Sequence, residues 1–99
     1  MSSQGKSVRR TAFCCRPDPS AVDIAIAGDF TEWRPVAMRR KRSGLYVAVF
    51  ALRPGRYEYK FLIDGQWHTD AENDRWAVNP YGTLNSVTIV QQPLCGLQL

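Results

Sequence analysis

The stretch Y-E-Y-K-F-L-I-D-G-Q-W, Tyr57 to Trp67, constrains this chain more than any other. Strand side chains alternate between the two faces of a sheet, so Tyr57, Tyr59, Phe61 and Ile63 share one face and Glu58, Lys60 and Leu62 the other. The aromatic face must be core. Asp64-Gly65 reads as the two-residue turn of a hairpin, with glycine supplying positive φ. Ile63 then pairs with Gln66 and Leu62 with Trp67, and paired residues point the same way. Trp67 is therefore expected beside Lys60, on the face turned away from the core. The same register puts Gln66 and His68 on the core side, where an edge position would account for Gln66. A slip of one residue would bury Trp67 instead.

The rest of the chain repeats this grammar. Short alternating or β-branched segments recur between the turn signals P-D-P-S, S-G, R-P-G and D-G, and no window keeps a helical stripe. Strands are expected over residues 8–16, 21–27, 36–40, 45–52, 56–63, 66–69 and 86–91. About seven short strands imply an all-β fold, a two-sheet sandwich first and a small barrel second. The 99 residues suit one domain spanning the chain, with its core at about residues 8–91 and short tails. Residues 70–84 lack a strand signal, and so long a connection in a compact domain is often a binding loop.

Three cysteines, Cys14, Cys15 and Cys95, fit neither a disulfide framework nor a CxxC zinc spacing, so reduced thiols are expected. A bridge from Cys95 to either neighbour requires the chain ends to meet. No apolar run has the length of a signal peptide or of a membrane span, and a cytoplasmic protein without a membrane partner is expected.

An exposed indole beside a lysine and a polar loop suits a ligand that is apolar on one side and hydroxylated at its rim. Sugars have that shape. Lys60, Asn79, Thr83 and Asn85 supply donors and acceptors nearby.

Three ordered motifs sharpen this reading: G-D-F-T-E-W (Gly28 to Trp33), Y-K-F-L-I-D-G-Q-W (Tyr59 to Trp67) and N-P-Y-G-T-L-N-S-V (Asn79 to Val87). Together they resemble a glycogen-binding carbohydrate-binding module, over about residues 12–90. Such modules occur in the β-subunit of AMP-activated protein kinase and in the N-terminal, isoamylase-like early-set domains of branching and debranching enzymes. The resemblance implies an immunoglobulin-like β-sandwich that binds α-1,4-linked glucans, glycogen or starch, without cleaving them. A glycogen-metabolising enzyme or kinase subunit is an expected protein partner, while neither kinase scaffolding nor branching activity follows from the resemblance. By motif, Trp33 and Trp67 match the two stacking tryptophans, Lys60 the lysine that hydrogen-bonds sugar hydroxyls, and Asn85 the binding asparagine. Thr83 matches a threonine beside it, and Tyr81 a position where the kinase subunit inserts an apolar residue into the curved glucan. Two positions depart from the family: Thr31 replaces an asparagine, and Tyr81 is bulkier and more polar. Trp76 has no family counterpart and is expected to cap the core or add a third platform.

Competing chemistries are weaker. His68, the single histidine, has no nucleophile motif near it and reads as a partly buried strand residue. Asp64, Asp70, Glu72 and Asp74 could form a hydrolytic carboxylate pair, yet acids in turns and polar loops are usually solvated. In a calcium-loop reading of D-A-E-N-D, Arg75 takes the required glycine position and Tyr81 the glutamate position, so no metal is expected, and no cofactor. The basic run Arg39 to Arg42, with Arg9, Arg10 and Arg16, reads as a solvated hairpin end. The alternatives to glucan binding are a protein-interaction module on the same sandwich and, after it, a nucleic-acid surface on that run.

Overall fold

The computed structural model describes residues 8–91, so Cys95 and its pairing lie outside the described residues. Among the described residues there are nine strands: β1 (Arg9–Cys15), β2 (Ile24–Gly28), β3 (Val36–Ala37), β4 (Arg39–Arg40), β5 (Tyr46–Leu52), β6 (Gly55–Ile63), β7 (Gln66–His68), β8 (Trp76–Val78) and β9 (Leu84–Val90). They form two antiparallel sheets. One has the order β1-β5-β4; the other runs β3-β2-β6-β9-β8, with β7 also paired to β6. The all-β sandwich expected from the sequence is the fold observed. Among the described residues, no helix is long and apolar enough to cross a membrane.

Two expectations about elements need correction. Residues 36–40 do not form one strand: Val36–Ala37 pairs with β2 and Arg39–Arg40 with β5, so the chain changes sheets at Met38. Met38 is buried at this corner, and its N–H donates to the Ile24 carbonyl (2.9 Å). Alternation could not reveal the change, because both halves keep the same parity. The long loop is also not structureless. Trp76–Val78 pairs with the start of β9 as an edge strand, too short to produce a periodic signal of its own.

Rings fill the space between the sheets. Phe13 stacks on Phe30 (centroids 4.9 Å apart) and meets Tyr59 edge-on (4.9 Å), while Phe30 lies 4.8 Å from Phe50. Tyr59 and Phe61 are each 2% exposed, so the aromatic side of β6 is core, as its alternation requires. The connection between β7 and β8 is sewn to this core by a partly buried network. The Tyr59 hydroxyl donates to Asp70 Oδ2 (2.7 Å), and Asn73 Nδ2 donates to the Tyr59 hydroxyl (3.0 Å) and to the Val87 carbonyl (2.8 Å). Ser86 Oγ accepts the Asp70 N–H (2.7 Å). Burial, with the nearby Asp70 carboxylate adding to it, pushes the Tyr59 hydroxyl above the usual phenol range.

Candidate functional site: a tryptophan platform on the outer sheet face

The hairpin forms in the register read from the sequence. Ile63 pairs with Gln66, Leu62 with Trp67 and Phe61 with His68. Asp64 (φ 48) and Gly65 (φ 82) both adopt the left-handed backbone that a right-twisted two-residue turn needs. Asp64 also ties this turn to the start of β2, its Oδ1 accepting from the N–H groups of Val22 (2.9 Å) and Asp23 (2.8 Å). Those bonds hold its carboxyl below the usual range. Trp67 is 47% exposed and lies on the Lys60 side of the sheet. Gln66 stays wet because β7 is short and peripheral; His68 is exposed as well, not partly buried.

Trp33 reaches the same face by a different construction. After Gly28 the chain enters a 3-10 turn, Asp29–Thr31, and then two residues in left-handed conformation, Glu32 (φ 55) and Trp33 (φ 60). Three bonds hold this unusual path. Thr31 Oγ1 accepts the Gly28 N–H (3.0 Å), the Trp33 N–H donates to the Gly28 carbonyl (2.9 Å), and the indole N–H donates to Asp29 Oδ1 (3.1 Å). The other Asp29 oxygen accepts the Glu58 N–H (2.7 Å), so one carboxylate anchors the ring to β6. Gly28 is required by close approach: a Cβ there would sit 2.6 Å from the Glu58 carbonyl oxygen and 2.8 Å from Tyr59 Cβ.

Register orders the platform. Gly28 pairs with Tyr59, Ala27 with Lys60 and Ala25 with Leu62, which pairs with Trp67 across the strand. Lys60 therefore lies along the strand between the turn that carries Trp33 and the hairpin that carries Trp67.

A polar network flanks the lysine. Its ammonium donates to Thr83 Oγ1 (3.1 Å), which also accepts from Asn79 Nδ2 (2.7 Å). A hydroxyl that accepts twice keeps its own proton to donate, and the ammonium keeps two of its three. Asn79 builds the loop: its Oδ1 accepts the N–H groups of Tyr81 (2.9 Å) and Thr83 (3.1 Å), leaving Tyr81 89% exposed at the tip. Asn85 is only 5% exposed; its Oδ1 accepts from Asn79 Nδ2 (3.0 Å) and its Nδ2 donates to Glu58 Oε1 (2.8 Å). Arg56 bonds the other Glu58 oxygen (2.9 Å). The Asn85 amide, with Arg56 adding to it, holds the Glu58 carboxyl below the usual range.

The structure thus brings Trp33, Lys60, Trp67, Thr83 and Asn85 to one face, with Tyr81 on the loop at its margin. Asn85 forms the floor rather than the exposed surface. Asp29 and Glu58, which hold the face together, were missed in the sequence. Glu58 shares parity with Lys60, and Asp29 stands four residues before Trp33, so both were findable by position alone. Trp76 is no third platform: it pairs with Ser86, which pairs with Tyr59, so it lies on the core side of edge strand β8, 56% exposed. Two of the four acids weighed for hydrolysis are taken up in structural hydrogen bonds. Asp64 accepts the N–H groups of Val22 and Asp23 before β2, and Asp70 accepts the Tyr59 hydroxyl and the Glu72 N–H. Burial raises the Cys15 thiol, with Asp70 adding to the shift, so it is a poor nucleophile.

A β-sandwich with paired indoles and hydroxyl-directed donors on one open face defines a carbohydrate-recognition module. The comparisons agree. The family model for the glycogen recognition site of AMP-activated protein kinase matches residues 18–95, and the chain belongs to this carbohydrate-binding family. It is 34% identical over 70 residues to Protein PTST homolog 2, chloroplastic, of Arabidopsis thaliana, covering 70% of this chain and 13% of that protein. It is 30% identical over 70 residues to the 5'-AMP-activated protein kinase subunit beta-1 of Sus scrofa, covering 71% of this chain and 56% of that protein. The chain therefore spans less than two thirds of these relatives. Among solved structures, a maltogenic amylase from S. marinus shares the fold, with a TM-score of 0.68 and 24% identity, covering 83% of this chain and 13% of the amylase.

Proposed function

We propose that this chain binds α-1,4-linked glucans on the outer face of the six-stranded sheet, without catalysis. The observation that carries the reading is the pair of exposed indoles, Trp33 and Trp67, on either side of the Lys60–Thr83 hydrogen bond. Each indole offers a flat apolar surface to the C–H face of a glucose ring. Lys60 and Thr83 donate to hydroxyls at the ring edge, Asn85 holds Asn79 and Glu58 in position, and Tyr81 packs against the bend of the chain. The site is shallow, so each contact is weak and affinity on a polymer comes from multivalency. Relatives named as kinase β subunits support a further part of the proposal, that the module brings a kinase assembly to glucan.

Native electrophoresis in glycogen tests the reading. The protein is expected to be retarded, and a Trp33→Ala, Trp67→Ala double variant to migrate as if no glycogen were present. Unchanged mobility of the unmodified protein, or equal retardation of the double variant, overturns it.

A further inference from the structure

Charge is segregated between the two sheets. Residues 8–16 and 38–53, which build the three-stranded sheet, hold eight of the thirteen lysines and arginines and none of the nine aspartates and glutamates. All the acids belong to the six-stranded sheet and its loops. Edge strands are often protected by charge, and β1 and β4 are both edges. Protection of that kind works with either sign, so it leaves a wholly cationic sheet unexplained.

The outer face of this sheet is apolar between its cations. Phe13 and Leu52 point into the core, so the opposite parity points outward: Ala12 pairs with Val49, Cys14 with Val47 and Arg10 with Ala51. Ala12, Cys14, Val49 and Ala51 are exposed. Arg10 and Arg53 stand at one end of this strip, and Arg39, paired to Val47, with Lys41 at the other. The only ion pair among the described residues, Arg56–Glu58, is on the other sheet.

We propose that this face docks an amphipathic helix of a partner protein, one whose apolar stripe is flanked by aspartates and glutamates. Short side chains make a flat surface on which a helix packs, as helices cover sheet faces in layered folds, and the arginines meet the flanking carboxylates. A nucleic acid would use the cations but not the strip, and this face has no exposed ring for bases to stack on: Trp33, Trp67, Trp76 and Tyr81 all belong to the other sheet. The chain's own terminal segments, residues 1–7 and 92–99, contain no acid and so do not complement it. A strip seven residues long is about 23 Å by roughly 10 Å across three strands, an area suited to transient association. Because it lies on the opposite side of the sandwich from the tryptophans, partner and glucan bind together.

The test uses a synthetic helical peptide with a leucine stripe flanked by glutamates, with titration followed by fluorescence of a label on the peptide. Weak but measurable binding is expected for the unmodified protein, with at least a tenfold loss in an Arg10→Glu, Arg39→Glu variant and a several-fold loss in Val49→Ser. Both variants should keep their circular dichroism and their retardation by glycogen. A control peptide with serine in place of leucine should bind several-fold more weakly. Equal binding of the two peptides, or no effect of the charge reversal, overturns the proposal. So does tighter binding of a thymidine oligonucleotide or of phosphatidylserine vesicles through the same arginines, or charge-dependent self-association in sedimentation.

Discussion

The two outer faces of this sandwich are built from the same alternation and finished in opposite ways. On the six-stranded sheet, the polar groups are bonded to one another: Asp29 to the Trp33 indole, Thr83 to Lys60 and Asn79, Asn85 to Asn79 and Glu58. On the three-stranded sheet, short apolar side chains lie between long cations. A face whose groups are already positioned loses little entropy when a small neutral ligand binds. A face of long unrestrained cations needs a broad charged partner to offset the cost of ordering them. Preorganisation therefore separates a sugar platform from a docking surface more clearly than composition does.

The most severe way to break the contrast is to remove the core that both faces share. Phe13→Ala should cost about 3–5 kcal/mol, because its ring is buried against Phe30, Phe50 and Tyr59. Urea denaturation should show that loss, and both faces should fail together. Next in size, Trp67→Ala and Trp33→Ala should each remove about 2 kcal/mol of glucan affinity, roughly thirtyfold, as truncating a central aromatic anchor does. Titration with maltoheptaose measures this, and binding at the arginine face should not change.

A smaller effect is expected from Asp29→Asn, which keeps the shape but leaves either the Trp33 indole or the Glu58 N–H without its acceptor. Stability should fall by about 1 kcal/mol, and glucan affinity several-fold as the ring loses its fixed orientation. If affinity holds while stability falls, the platform does not depend on this anchor. The smallest effect is on pH. Glu58 has a folded pKa below the ordinary 4.5, first through the Asn85 amide and then through Arg56. A depressed folded value means its contribution is complete above pH 4.5 and is lost as pH falls through the folded pKa. Stability in urea should thus keep this contribution above that pH and lose it in more acid solution, with a smaller acid decline in Glu58→Gln.

Much of the platform was legible in one strand. The alternation from Tyr57 to Ile63 and the Asp64-Gly65 turn determined which side of the sheet Trp67 occupies, since a hairpin of fixed loop length has one register. The core side of β6, with Tyr59 and Phe61 buried, followed the same pattern. Other features depended on neighbours distant in sequence. Residues 36–40 divide between two sheets because Met38 finds its place between them, and no local pattern signals that choice. Strand β8 exists only because β9 offers it a ladder, three residues being too few to hold a strand alone.

Asn85 illustrates the boundary most sharply. Its residue type marked it as a hydrogen-bonding group near the lysine, and that is what the sequence determined by itself. Only the tertiary structure decided that both ends of its amide are occupied, by Asn79 and Glu58, so that it supports the face from below. Alternation is a property of the backbone and can be read from spacing, but the partners of a side chain depend on which strands meet, and folding alone brings those together.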